Sequence, residues 1–168
     1  MSKKELKEQL IERLKLERHP VHAEGAFKEV YRSKIEICAD GKKRSAQTSI
    51  YFIYPGGKRW PGNWRTLKGD ETTIWLAGDP LLTHEIDAST GEYRLLKIGN
   101  VLEGAAEEFQ ITRHAGSYFA TEVLDEQGFA LVAEVVAPGF EYEDLSTPTK
   151  EELCAKFPQH TEFISGFF

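Results

Sequence analysis

The sequence predicts an all-β fold, an antiparallel sandwich or barrel with a short helix at each end. Three observations carry this. Eight β-rich runs lie between about residues 26 and 140, separated by glycine, proline, Asn and Asp turns. No helical pattern interrupts them, which excludes a parallel α/β sheet, and helical signals occur only near the termini. At 168 residues the chain fits one domain. We expect a single domain over 1–168, with a helix at about 3–16, a barrel at about 26–140 and a helical tail at 146–168.

In chain order, Leu6, Leu10 and Leu14 recur every fourth residue with Ile11 beside them, so 3–16 reads as an amphipathic helix ended by His19-Pro20. The runs AFKEVYRSKIEI, TSIYFIY, ETTIWLA, PLLTHEID, EYRLLKIG, EEFQITRH, SYFATEV and FALVAEVV follow. Between them stand ADGKK, YPGGKRWPGN, DASTG, LDEQG and APG. Thr149 with Glu152 three residues later makes a capping box behind Pro148, which predicts a short helix in TKEELCAKF.

Charge and composition exclude several classes. There are 21 basic and 27 acidic residues, net −6, and the single basic triplet, Lys42-Lys43-Arg44, sits beside Asp40-Gly41 and reads as an exposed hairpin tip. Nucleic acid is therefore not an expected partner. The opening MSKKELKEQL lacks a signal-peptide core, and no apolar run reaches the roughly 18 residues of a membrane span, so a soluble cytoplasmic protein is expected. Cys38 and Cys154 are far apart and read as reduced thiols. The five histidines, His19, His22, His84, His114 and His160, form no spaced ligand set, and PGGK at 55–58 only imitates a phosphate loop.

Alternation along the strands singles out candidate site residues. In the first run Phe27, Glu29, Tyr31, Ser33, Ile35 and Ile37 share a face, placing the Glu29 carboxylate among apolar neighbours, as a pocket acid or half of an ion pair. In the run after Gly69, Glu71, Thr73, Trp75 and Ala77 share one face, whereas Asp70 points the other way. Asp70 and Glu71 are thus not a cooperating acid pair. Glu71 is the functional candidate, and Asp70 is expected to fix the preceding turn.

EVYRS (29–33), TSIYF (48–52), Asp70-Glu71, AGDPL (77–81), HAGSY (114–118) and above all VVAPGFEYEDL (135–145) resemble, in order, the cupin superfamily, more closely its single-domain branch classed as a domain of unknown function. The resemblance implies a double-stranded β-helix, the cupin jelly-roll barrel, and a homodimer. Cupins hold a metal with two histidines and a glutamate in one motif and a histidine in a second. Glu71 matches the glutamate; the upstream histidine positions fall at about Trp64 and Thr66, and the last at Phe119. Three of four ligands are missing, so neither a metal nor another cofactor is expected.

The leading expectation is a small molecule, sugar-like or a small acid, bound in the barrel mouth by Tyr51, Trp64, Glu71, Thr73, Trp75, Tyr118 and Glu29. Likeness to sugar-nucleotide epimerases of the superfamily implies the alternative, a metal-independent isomerase with Glu71 or His114 as base and Tyr118 as acid. A structural or storage role is the third.

Overall fold

The computed structural model describes residues 2–20, 25–60, 62–106 and 108–168. His22, in the loop after the first helix, and the other residues of 21–24 lie outside the described residues. The helix α1 (Lys3–Leu14) starts at a capping box in which Ser2 and Glu5 exchange side-chain and backbone hydrogen bonds, and it ends at Lys15 in the left-handed region.

Among the described residues the strands form two larger antiparallel sheets and a hairpin. The first sheet has the order β1 (Glu17–Arg18), β2 (Ala26–Arg32), β5 (Thr48–Pro55), β12 (Phe129–Ala137), β7 (Asp70–Gly78), β10 (Gln110–Arg113). The second runs β13 (Leu145–Ser146), β6 (Arg65–Leu67), β11 (Tyr118–Glu122), β8 (Leu81–Ile86), β9 (Tyr93–Ile98). The hairpin pairs β3 (Glu36–Ala39) with β4 (Lys42–Ser45) across Asp40-Gly41, both at positive φ. Together these make the expected jelly roll, with non-consecutive strands side by side in each sheet.

Three apolar layers result. Phe52, Tyr54, Ala130 and Val132 of the first sheet meet Leu81, Ile98 and Val123 in the barrel interior. Outside the first sheet, Leu6, Leu10, Ile11 and Leu14 of α1 cover Ile53, Phe129 and Leu131. Outside the second, α2 (Lys150–Lys156) and α3 (Thr161–Ser165) pack Leu153, Phe157 and Ile164 onto Trp64, Ile86 and Ala120. Helix α2 starts at the expected Thr149–Glu152 capping box.

The first run departs from its expected alternation. A register shift between Glu29 and Tyr31 breaks the period, and β2 and β3 are separate strands. Val30, Tyr31 and Ile35 are exposed, Ile35 by 69%. The basic triplet also divides: Lys42 and Lys43 are exposed, but Arg44 is buried and binds Asp144 and Glu143. That ion pair ties the hairpin to the turn at Tyr142–Asp144, one wall of the barrel mouth.

Candidate ligand site in the barrel mouth

A cavity of about 180 Å³ opens at the end of the barrel where β6, β11, β12 and the segment after β12 converge. Its walls are largely apolar: Phe27, Ile50, Phe52, Phe119, Val136 and Phe140. The APGFEYEDL stretch supplies Phe140, Tyr142 and Leu145, so the most specific motif of the sequence forms one side of the opening. At the rim Glu29 pairs with Arg32 at 2.9 Å, and Arg32 also binds Glu141 at 2.7 Å. These groups are each partly solvated, so they contribute little as charges.

The floor is polar and buried. Arg65 on β6 donates from Nη2 to the Tyr54 hydroxyl at 2.6 Å, and Tyr54 on β5 donates to Glu134 Oε1 on β12, also at 2.6 Å. Glu134 is hydrogen-bonded in turn to Glu71 on β7. Arg113 on β10, opposite Glu71 in the ladder, brings Nη2 to 2.9 Å from Glu71 Oε2. Its N–H groups are not aligned for a hydrogen bond there, so the contact is a close charge pair. Both guanidinium groups also lie over the Phe119 ring, Arg65 Cζ at 4.5 Å and Arg113 Cζ at 4.2 Å from its centroid.

Position in this chain separates the two carboxyl groups chemically. Burial first, then the negative charge of Glu71, pushes the Glu134 carboxyl up to about 7, with Arg113 and Arg65 opposing. Burial also penalises the Glu71 carboxylate, but the charges of Arg113 and Arg65, together with a hydrogen bond from Glu134, outweigh it and lower its pKa. Glu71 is the ionised member and Glu134 holds the proton between them. Burial keeps Tyr54 neutral by raising its hydroxyl well above the usual range. His19, at the cavity wall, is lowered to about 4 by burial and by Arg65, so its imidazole is neutral at pH 7.

Of the residues expected in the site, Glu71 stands in the floor and Glu29 on the rim; the others lie elsewhere. Tyr51 is on the outer face of β5 against the α1 layer, whereas Tyr54 points inward. Trp64 is buried under α3, its indole donating to the Ile164 carbonyl. Thr73 is fully buried across from Glu134 without lining the cavity, and Trp75 packs on the interior layer with its indole donating to the Asp79 carbonyl. A register shift at Leu131/Val132 then carries Ala77 to the α1 side, so it does not share Trp75's face.

His114 and Tyr118 also fall outside. The His114 side chain is 78% exposed on the β10–β11 turn, 3.8 Å from Asp70. Asp70 fixes that turn, accepting from the Ala115 amide at 2.8 Å, and not the turn preceding it. Tyr118 faces α2, where its hydroxyl accepts from Lys156 Nζ at 3.2 Å. Base and acid roles therefore cannot be shared between Glu71, His114 and Tyr118.

Four floor residues were missed: Tyr54, Arg65, Arg113 and Glu134. Glu134 carried a legible signal, since it alternates with Ala130, Val132 and Val136 on one face of an otherwise apolar strand.

A divalent metal of the general cupin kind does not fit these side chains. Of the matching positions, Trp64 is turned to the helices, Phe119 is apolar, and Thr66 borders a depression on the outer surface with Tyr118. Only Glu71 remains, already paired with a guanidinium. Among the described residues no group of three or more His, Cys, Asp or Glu side chains is placed to hold a metal ion.

The family model of the cupin superfamily described as DUF985 matches residues 8–147. The chain belongs to this cupin family. A hypothetical protein from Leishmania major is 32% identical, covers 94% of this chain and 96% of its own, and superposes with a TM-score of 0.80. A Shewanella oneidensis protein is 29% identical over 95% of each chain, with a TM-score of 0.78. A Bacillus subtilis oxalate decarboxylase variant, 15% identical, shares the fold over 90% of this chain and 37% of that one, with a TM-score of 0.53. No curated protein matches the sequence.

Proposed function

We propose that this cupin binds a small molecule in the barrel mouth, without a metal, holding an apolar body between Phe27, Phe52 and Phe140 and a polar end on the floor. The observation that carries this is the buried Arg65–Tyr54–Glu134–Glu71–Arg113 chain at the base of an apolar-walled cavity. Burying the three ions of this chain, Arg65, Glu71 and Arg113, costs several kcal/mol per ion before pairing, which an inert structural barrel has no reason to bear. A ligand that binds only the native state raises its stability by about 2.7 kcal/mol at a hundredfold excess over Kd. Thermal-shift screening with sugars, nucleotide sugars and small acids is expected to give concentration-dependent stabilisation. No stabilisation by any of them at millimolar concentration counts against the reading.

A second reading, a metal-independent isomerase or epimerase, is favoured by the two carboxyl groups whose pKa values are pushed apart. In it Glu71 is the base and Glu134, supported by Tyr54, the acid. Solvent deuterium entering a bound substrate, and lost in both Glu71→Gln and Glu134→Gln, tests it. The exposed edge of β2 with Val30 and Tyr31 supports a homodimer as well; light scattering of purified protein is expected to give twice the chain mass, and a monomer at all concentrations opposes it.

A further inference from the structure

Among the described residues Arg65 is the floor cation that makes no direct ion pair, although its charge acts on Glu71 and Glu134 from a distance. It is 5% exposed and lines the cavity, yet its hydrogen bonds go to neutral acceptors, Nη1 to the Asn63 carbonyl at 2.9 Å and Nη2 to the Tyr54 hydroxyl at 2.6 Å. Among the described residues no carboxylate oxygen lies within 4.0 Å of it. The two nearby acids are committed elsewhere: Glu71 to Arg113, and Glu134 to Tyr54 and to Glu71. A buried guanidinium with no carboxylate in direct contact is suited to take one from a ligand.

We propose that the floor takes the carboxylate of a small monocarboxylic acid with an apolar body, seated against Arg65, and that binding is coupled to retention of one proton between Glu71 and Glu134. This rests on the binding reading above and names its ligand class. A monoanion matches the one floor guanidinium that makes no direct ion pair among the described residues. A phosphate dianion would set its second charge against two carboxyl groups, and the apolar walls exclude a fully polar ligand. The groups facing Glu134 are Tyr54 from β5, Arg65 from β6, Glu71 from β7 and Arg113 from β10. With Glu134 protonated these sum to one positive charge; with Glu134 ionised they sum to zero. The arriving carboxylate therefore favours protonated Glu134, whose carboxyl already stands near 7. Affinity is full below that pH and lost above it.

Benzoate and its neutral counterpart benzamide are the probes, titrated calorimetrically into the whole protein between pH 5.5 and 8.5. Benzoate is expected to bind more tightly than benzamide below pH 7, and to weaken by about tenfold per pH unit above it. In Glu134→Gln the benzoate affinity becomes flat with pH. Arg65→Gln loses benzoate selectivity and Arg65→Lys retains part of it, with each variant's folding checked by its melting temperature. Equal affinity for benzoate and benzamide in the wild type overturns the anion site without need of any variant. Benzoate affinity independent of pH overturns the proton coupling. If neither probe nor any other small molecule binds, the underlying binding reading fails and takes this one with it.

Discussion

Exchanging Glu134 for glutamine removes a titration near neutrality while keeping its contacts, because an amide still accepts from Tyr54 and donates to Glu71. The wild-type carboxyl is raised from an ordinary 4.5 to about 7 by burial and by Glu71. A raised carboxyl makes the native state hold its proton after the unfolded chain has released it. Native stability is therefore fully present below about pH 4.5, declines as pH rises, and levels off above 7. At about 1.4 kcal/mol per pH unit, the interval amounts to about 3 kcal/mol. Urea unfolding of both proteins at pH 5, 6, 7 and 8 is the assay. The glutamine variant is expected to approach the wild type at pH 5 and exceed it by about 3 kcal/mol at pH 8, or roughly 6 to 12 °C in Tm. A difference that stays constant from pH 5 to pH 8 refutes the assignment of the shared proton to Glu134.

Further outcomes follow from the same geometry. Arg113→Met strips Glu71 of its close cation and is expected to cost about 3 to 5 kcal/mol at pH 7 by urea unfolding. The loss shrinks as the pH falls, because without Arg113 burial favours protonation of Glu71 and removes the charge left unpaired. Trp64→Ala opens a hole under α3 and costs about 3 to 5 kcal/mol in the same assay, while ligand affinity in the folded variant stays within twofold. His114→Ala and Tyr118→Phe each change stability by less than about 0.5 kcal/mol and leave ligand affinity unchanged in calorimetry, since neither side chain reaches the cavity.

The strands were readable because turn residues bracket them and β-branched and aromatic residues fill them. The leucine spacing of 3–16 and the capping box at Thr149 mark both terminal helices, and Glu71 and the 135–145 segment are recognisable from family resemblance. What failed was the choice of face. The sequence points to Tyr51, Trp64 and His114, whereas the floor holds Tyr54, Arg65 and Arg113, each the other member of an alternating or neighbouring pair. Arg65 was hard to find for a further reason, because β6 is only three residues long and shows no alternation of its own.

A strand's period of two sorts its side chains into two sets, and local sequence determines that sorting along with the strands, turns and caps. Hydrophobicity identifies the inner set only when the other set meets water. Here α1 covers the back of β5 and β12, and α2 with α3 covers the back of β6, β8 and β11, so both sets are apolar and the signal cancels. Bulges at Glu29/Tyr31 and Leu131/Val132 then shift the parity within single strands. Which side chains face the barrel, and hence the convergence of Tyr54, Arg65, Glu71, Arg113 and Glu134 on one floor, was decided by tertiary packing of residues up to 80 positions apart.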